Sequence, residues 1–597
     1  MTSGASGWIS MSSFSPPARL MKSRWWLLVA LTTLIYVGSA WAPALLDDAD
    51  AANAETAREI VARGDWVTLH MNGVRFLEKA PLMYWAIALS YKLFGVSTFA
   101  ARLPLALSTL ALALVVYGFG RWMGGERAGF YSGLAMSVGL GTYLFTRILI
   151  FEVILTLWMT IAFYCFLKVY CGELHPRWAY VCYACLAAAV LSKGLIGIVF
   201  PLGILFVFVL VTGGWRRVWQ MHPFSGALLF LALAVPWHAL ASWRNEKFFW
   251  FYFINEHINR FLGTRYPMDY DTVPLVPFWV LHLVWLFPFS VFLPLALRRP
   301  RLLWRPVERA DELRLFAWLW FFVIVGFFSF STRQEYYTFP VFPALALLAG
   351  TALAQGEKEN HRWVVIGQGV LAALGLMVAG VLGYFLWRSR HLAGGGEIAQ
   401  FLTPNPENYR LSLGHISDLT TSAFAALRLP AAGAAVSLAL GFGLALRFRL
   451  RQRALAASLL TALTVAGFIY FAHLAFGRFE PYLSSRPLAV EISQRLAPGD
   501  VVVLNGEYQV GSSIGFYLAR PVLLLNGRTT VLEFGSHYPD APPVFIDHAE
   551  LARLWPGAQR VFVFTPNDRA EEVKRLLTGE VFLIAAAGGK SVYSNQR

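Results

Sequence analysis

"LLDDADAANAETAREIV", residues 45–61, follows directly on a run of membrane-grade hydrophobicity at 24–44. Asp47, Asp48 and Asp50 crowd against what reads as the end of a transmembrane helix. Carboxylates at the edge of hydrocarbon are costly, so acids placed there usually have a task. The rest of the chain makes the membrane unavoidable. Its 597 residues are 57% hydrophobic and only 14% charged, with mean hydropathy +0.53; an ordinary soluble chain carries roughly 25% charged residues. Apolar runs of helix-spanning length recur, with Trp and Tyr at their ends, the pattern of a polytopic α-helical membrane protein.

The candidate spans are 24–44, 98–120, 128–146, 148–169, 177–192, 194–212, 223–241, 276–297, 314–330, 336–353, 363–387, 430–447 and 454–475, about thirteen in all. Alternate connections are then rich in Arg and Lys: "RLMKSR" (19–24), "RWMGGER" (121–127), "WRR" (215–217), "RRPRLLWRPVER" (298–309) and "RFRLRQR" (447–453). All fall on one side, which is therefore cytoplasmic. This pattern accounts for the formal net charge of +15 without a nucleic-acid partner. "SAWA" (39–42) resembles a cleavage site, but the acidic stretch follows at once, and an uncleaved anchor is expected. Cys165, Cys171, Cys182 and Cys185 lie in or beside two consecutive apolar runs and read as small core residues rather than as a disulfide framework or a metal site.

Three segments remain for the outer face: 45–97, 242–275 and everything after about 476. "NAETAREIVARG" (53–64) predicts a helix stopped by Gly64, with Glu55 and Glu59 on its solvated face; "PLMYWAIALSYKLFG" (81–95) is apolar but short, and suits a helix lying in the interface. The tail changes character. "DVVVLNG", "PVLLLNG", "RVFVFTP" and "VFLIAAA" are short strands ending in turn residues, alternating with helical "SRPLAVEISQRLA" and "DRAEEVKRLLTG". A soluble α/β domain with a mostly parallel sheet is predicted over 476–597, outside the membrane, with the transmembrane catalytic part at 1–475. Neither "LNGEYQVGSS" nor "AGGGEIAQ" matches a nucleotide fingerprint.

The outer joints gather the polar residues that hydrophobic patterning leaves over. Alongside the three aspartates the first loop holds Glu55, Arg58, Glu59, Glu78, Lys79 and Tyr84; "TRILIFEVIL" places Arg147 near Glu152; "LSKGLIG" leaves Lys193 between two spans. "NEHINRFLGTRYP" contributes Glu256, His257, Arg260 and Arg265, and "STRQEYYTFP" contributes Arg333, Glu335, Tyr336 and Tyr337. Singly, an Arg or Lys near a helix end is most often a snorkelling anchor, and His257 a hydrogen-bonded loop residue. Glu152, one turn into an apolar helix, is harder to dismiss. Together, cations around acids on one membrane face suit a lipid carrying phosphate: Arg and Lys hold phosphoryl oxygens, and a carboxylate serves as general base on an acceptor.

Ordered motifs spanning the chain carry a resemblance: an acidic pair, "AETARE", "GDW", "NGVRFLEKAPLMYW", "ARLP", "TRILIFEVILTLW", "LSKGLIG" and "STRQEYYTFPVFPALALL". The sequence resembles the GT-C fold membrane glycosyltransferases that use polyprenyl-phosphate sugars, the protein O-mannosyltransferase family. Within it, the sequence looks most like bacterial enzymes that transfer 4-amino-4-deoxy-L-arabinose to lipid A. Two positions depart from the family pattern: Ala80 replaces the first proline of Glu-Lys-Pro-Pro, and Glu152 stands where Asp is common.

The resemblance implies an inner-membrane enzyme with a periplasmic active site. It would move aminoarabinose from undecaprenyl phosphate to a lipid A phosphate, conferring resistance to polymyxin and other cationic peptides, and a monomer is expected. It implies catalytic acids among Asp48, Asp50 and Glu152, with the first-loop acid at Asp48 or Asp50; as an acceptor phosphate oxygen is already ionised at neutral pH, the acid would orient the acceptor, position the donor's amino group or hold a cation that offsets phosphate repulsion. Lys79, Arg260 and Arg265 would hold donor phosphate, Arg58, Arg147, Lys193 and Arg333 would add to the cationic surface, and Tyr84 and Tyr337 would line the sugar and carrier pocket. Glu78 and His257 are candidates for a divalent cation, Zn or Mg, though two scattered ligands do not define a site. A related hexose (mannosyl) transferase acting on protein or glycan is the alternative within the class. A lipid flippase is disfavoured, because no internal repeat is visible and the charges sit at helix ends on one side.

Overall fold

The computed structural model describes residues 18–267, 272–297, 309–392, 394, 396–403 and 414–597. Eight helices within them are long and apolar enough to cross a membrane: Thr98–Gly124, Glu152–Tyr170, Pro223–Arg244, Arg309–Ser329, Glu335–Lys358, Arg362–Arg388, Arg428–Leu450 and Ala454–Arg478. Leu275–Trp285 and Phe289–Ala296, bent by 97° at their break, make a ninth if counted as one span. Pro223–Arg244 and Arg362–Arg388 stay largely bare within the protein, at 28% and 33% buried. Apolar side chains left uncovered on that scale face lipid.

The expectation of thirteen spans is not met by length, and the shortfall is local. Helix α1 (Ala18–Tyr36) ends well before residue 44. The expected span at 128–146 breaks at Gly139 into a 13-residue and a 6-residue helix. Ala179–Lys193 and Ile196–Thr212 have 15 and 17 residues, about 22–26 Å at 1.5 Å per residue. Breaks of this kind need protein or a water-filled cavity around the freed backbone; Gly139 is packed against Ala135, Thr142 and Trp285, and the joint between Lys193 and Ile196 borders a cavity. Most of the basic connection at 298–309 lies outside the described residues.

The first loop is built rather than merely polar. Helix α2 (Ala49–Arg63) ends on Gly64, whose φ of +70° supplies the left-handed cap and whose N–H reaches the Ile60 carbonyl. The expected solvated face of α2 does not exist. Glu55 and Glu59 are 1% and 5% exposed, because helix α3 (Leu82–Phe94) and the C-terminal domain cover the helix on both sides. Each acid is neutralised in place, Glu55 by Arg58 at 2.6 Å and Glu59 by Arg63 at 2.8 Å and by the Gly73 N–H at 2.7 Å. Helix α3 leaves Leu89, Leu93 and Phe94 bare, as an interfacial helix would. Between the two helices, β1 (His70–Met71) and β2 (Val74–Arg75) form a hairpin on Asn72-Gly73, both at positive φ; this is the Asn-Gly turn chemistry of a two-residue loop.

The C-terminal domain has the predicted mixed architecture, with two strands more than expected. Six strands, β3 (Val501–Asn505), β4 (Leu523–Leu525), β5 (Phe545–Ile546), β6 (Val561–Pro566), β7 (Phe582–Ala587) and β8 (Lys590–Ser594), lie in the order β5-β4-β3-β6-β8-β7. The first four pair in parallel, and β8 pairs antiparallel with both β6 and β7, so β8 alone runs against the rest. The domain is stitched to both the first loop and the segment 242–275. Asn72 exchanges two hydrogen bonds with the Val522 backbone (2.9 and 2.8 Å), and Phe251 stacks on Phe534 at 3.8 Å.

Candidate active site

The broken helices and the first loop enclose a cavity of about 340 Å³. Its walls come from Asp48 just before α2 and Asn53 within it, the segment after β2 (Phe76, Glu78, Lys79), and Phe151 and Glu152 at the start of α7 (Glu152–Tyr170). The joint after α8 (Ala179–Lys193) brings Ser192 and Lys193, the π-helical turn Trp250–Asn259 with Arg260 brings Tyr252, Glu256, His257 and Arg260, and Tyr336 and Tyr337 close the opposite end. Gln509 and Val531 reach in from the C-terminal domain.

The acids of "LLDDAD" separate into three tasks. Asp48 is the one that lines the cavity. Asp50 does not. It is 1% exposed and fully used: Oδ2 accepts from Leu46 N–H (3.0 Å) and Arg102 Nη2 (2.8 Å), and Oδ1 accepts from Leu149 N–H (3.0 Å). Asp50, expected among the catalytic acids, is thus placed away from the cavity; its carboxylate ties the loop to the helix Thr98–Gly124 and to the joint before Glu152. Asp47 binds the C-terminal domain.

Three cations face the cavity. Lys193 pairs with Glu152 Oε1 and lies 4.7 Å from the Tyr337 ring centroid. The pair joins the C-terminus of α8 to the N-terminus of α7, each charge at the helix end whose dipole favours it. Glu152 Oε2 is buried and has no hydrogen-bond partner among the described residues; an orphaned acceptor in a cavity wall is suited to a donor on a ligand. Arg260 donates to Glu256 Oε2 (2.6 Å) and to the Tyr337 hydroxyl (3.0 Å). Lys79 pairs with Glu78 Oε2 at 3.1 Å.

Arg265 is not among the cavity cations. Its side chain is fully buried behind the wall, bridging Glu78 Oε1 (3.0 Å) and Glu256 Oε1 (2.7 Å) and donating to the Pro267 carbonyl (2.9 Å). It orients the two acids that hold Lys79 and Arg260. The acids differ in their titration. Burial raises the Glu78 carboxyl above its ordinary range, more than Lys79 and Arg265 lower it. Burial pushes Glu256 upward too, but there Arg260, Lys79 and Arg265 together outweigh it and hold the carboxyl low.

Four further expected site residues lie away from the cavity. Arg58 is committed to Glu55, Arg147 donates to the Ser39 carbonyl and hydroxyl (3.0 and 2.7 Å), and Arg333 donates to the Val273 carbonyl (2.7 Å). Tyr84 stands one layer back, its hydroxyl donating to Asn53 Oδ1 at 2.7 Å, so that it orients an amide that does line the wall. Tyr337, Lys193, Lys79 and Arg260 are in place. Of the residues the sequence did not single out as site residues, Glu256 carried a usable signal, an acid four residues before Arg260; Gln509 and Val531 carried none.

Glu78 and His257 both line the cavity, but as placed they do not compose a metal site. Among the described residues no three His, Cys, Asp or Glu side chains gather for one. Both His257 nitrogens are also engaged: Nδ1–H donates to the Tyr252 carbonyl (2.6 Å) and Nε2 accepts from Leu195 N–H (3.2 Å). The imidazole packs directly on Gly194, whose φ is +78° and where a Cβ would stand 2.1 Å from Nε2; only glycine fits that joint.

Burial lowers the His257 pKa, so this residue favours the folded state above its unfolded value of about 6.5, and that contribution is lost as pH falls through the lower folded value. Acidification from pH 7.5 toward 5 is expected to lower the melting temperature. In His257→Gln the slope of melting temperature against pH should flatten, because the new side chain accepts from Leu195 without titrating. An unchanged slope would remove His257 from the pH response.

A cationic cavity lined by acids and tyrosines, carried on a bundle of spans under an α/β domain, defines a class, and the comparisons agree with it. The family model described as "Dolichyl-phosphate-mannose-protein mannosyltransferase" matches residues 78–240. The chain is similar, in fold and in the make-up of this site, to membrane glycosyltransferases of that kind. It is similar along nearly its whole length to the crystal structure of ArnT from Cupriavidus metallidurans bound to undecaprenyl phosphate, with TM-score 0.79 and 27% identity, covering 95% of this chain and 97% of that one. It is also 26% identical over 543 residues to the undecaprenyl phosphate-alpha-4-amino-4-deoxy-L-arabinose arabinosyl transferase of Edwardsiella ictaluri, covering 87% and 88% of the two chains. The enzyme of the same name from Pseudomonas aeruginosa (strain UCBPP-PA14) is 29% identical over 384 residues, 62% of this chain and 66% of that one.

Proposed function

We propose that the protein transfers 4-amino-4-deoxy-L-arabinose from undecaprenyl phosphate to a phosphate of lipid A, at the periplasmic face of the bacterial inner membrane. The observation that carries this reading is the convergence of Lys79, Lys193 and Arg260 on one cavity with Asp48 in its wall, in a chain similar throughout to a protein whose structure holds undecaprenyl phosphate. The transmembrane part would span 1–475 and the C-terminal domain 476–597 would lie in the periplasm.

In this reading the donor phosphate sits among the three cations. The sugar C1–O bond breaks as an acceptor phosphate oxygen bonds to C1, and the electron pair leaves with the carrier phosphate. Preformed cations aimed at a growing charge are the larger part of such catalysis. Asp48 accepts the proton of the acceptor's P–O–H. A phosphate monoester titrates with a pKa of about 6, so near neutral pH only roughly a tenth of the acceptor carries that proton, and toward the ionised remainder Asp48 acts by orienting the acceptor and the donor's amino group. Tyr337, held by Arg260, and Asn53, held by Tyr84, would contact the sugar. Lipid A so modified loses net negative charge and attracts polymyxin and similar cationic peptides less.

The test is mass spectrometry of lipid A from polymyxin-challenged cells that lack their own aminoarabinose transferase and express this chain. Aminoarabinose added to lipid A is expected. Unmodified lipid A, with the protein folded and donor lipid present, refutes the assignment. One observation favours a second reading, a hexose transferred to protein or glycan: the matching family model is described by mannosyl transfer to protein. Polyprenyl-phosphate hexoses with those acceptors test it.

A further inference from the structure

The first two acids of the opening stretch are gripped by the C-terminal domain, which suggests a task for that domain beyond covering the site. Asp47 Oδ1 accepts from the Ser513 N–H (3.0 Å) and hydroxyl (2.7 Å), and Oδ2 accepts from Ser485 Oγ (2.6 Å) and Lys590 Nζ (2.7 Å). Its own N–H donates to the Leu483 carbonyl at 2.9 Å. One residue on, Asp48 N–H donates to the Gln509 carbonyl (2.8 Å), and Ser512 Oγ donates to the Asp48 carbonyl (3.1 Å). Ser485 and Ser513 are buried, and the Asp47–Lys590 pair is only 11% and 14% exposed. Charge-assisted bonds sheltered to this degree are the strong kind.

Between these anchors Asp48 is held at φ 67°, ψ −133°. A residue with a side chain persists in such a conformation only where its surroundings over-determine it, and here the bonds to Leu483, Gln509 and Ser512 do so. Their origin in the sheet is informative. β3 has β4 on one side and β6 on the other, which makes the carboxyl ends of β3 and β6 the topological switch point, where open α/β sheets place functional groups. Gln509, Ser512 and Ser513 follow β3, while the register Pro566↔Lys590 sets Lys590 at the carboxyl end of β6. The crevice that in other sheets takes a ligand here takes residues 47 and 48 of the same chain.

We propose that Asp47, Ser513 and Lys590 form a latch by which the C-terminal domain positions Asp48 for transfer. They are positioning residues: none of the three lines the cavity, and they act through the backbone of Asp48. The inference rests on the role given to Asp48 above. Misplacing a reacting group by about 1 Å costs on the order of 10²-fold in rate, whereas carrier and phosphate contacts made by Lys79, Lys193 and Arg260 are untouched.

Two readouts on the full chain in lipid nanodiscs test it, using Lys590→Met, Lys590→Arg and Ser513→Ala. The first is the steady-state split with lipid-linked donor and lipid A. Lys590→Met and Ser513→Ala should each lower kcat by about 10- to 100-fold with donor KM within about twofold of wild type, and Lys590→Arg should recover most of the loss. The second needs no activity: hydrogen exchange of the peptide over residues 45–55 should quicken by about 10-fold or more in Lys590→Met, while the exchange of peptides within the sheet stays as in wild type. Unchanged kcat, unchanged exchange at 45–55, or a loss confined to donor KM each overturns the latch. If wild type itself transfers no sugar, the reaction assignment fails, and the exchange experiment decides the latch alone.

Discussion

Asp48→Asn is expected to reduce sugar transfer by about 10²–10⁴-fold, the range that a lost general base produces, with little change in melting temperature. The substitution is unusually clean here. Asn is nearly isosteric with Asp and, like Asp, is enriched among residues at positive φ, so the backbone at φ 67° and its bonds to Gln509 and Ser512 survive. The carboxylate's ability to take a proton is what disappears. Purified protein, donor lipid and lipid A, with product read by mass spectrometry, give the ratio directly. A variant retaining more than about a tenth of wild-type kcat would show that the cavity cations alone drive transfer, and Asp48 would lose its assigned role.

The second large effect concerns stability rather than chemistry. Arg102→Met is expected to cost about 3–5 kcal/mol, the usual consequence of removing one partner from a buried ion pair. Arg102 is 2% exposed on the helix Thr98–Gly124, and besides Asp50 (2.8 Å) it donates to the carbonyls of Pro43 (2.5 Å) and Ala44 (3.2 Å). Its loss leaves the Asp50 carboxylate buried with backbone donors only, and frees two carbonyls at the mouth of the first loop. Thermal unfolding in detergent should show a large drop in melting temperature. The double variant Asp50→Asn/Arg102→Met should be less unstable than the sum of the singles, because the stranded charge is gone. Strict additivity would mean that the two side chains do not act as a pair.

These two predictions treat Asp48 and Asp50 as opposites, and that division was not legible in the sequence. "LLDDAD" at the end of an apolar run announces acids with a task, but spacing alone leaves the acid of the site at either position. Burial and hydrogen bonding separate them: one has spent its oxygens on Arg102, Leu46 and Leu149, and the other borders the cavity. The arginines divide in the same way. Arg58, Arg147, Arg260, Arg265 and Arg333 look alike as cations on one membrane face. Of these five Arg260 borders the cavity, paired with Glu256 in its wall; the others are spent on carboxylates or carbonyls behind that wall or away from it.

What the sequence by itself determined is what depends on short range and composition. Long apolar runs dictate spans, Gly64 after "AETAREIVAR" ends a helix, and β-branched runs closed by turn residues make the strands of the last domain; each is decided within a dozen neighbours. The lysines and acids at span ends mark a phosphate-handling membrane face for the same reason, since their cost is set locally by the bilayer. The tertiary structure decided everything that depends on which distant groups meet. It stops α1 at Tyr36, buries Glu55 and Glu59 on a helix that reads as half-solvated, and brings Gln509 more than 450 residues along the chain to the backbone of Asp48. The physical reason is that a polar group's role is fixed by the partner that satisfies it, and in a buried site that partner is chosen by the packing of the whole chain.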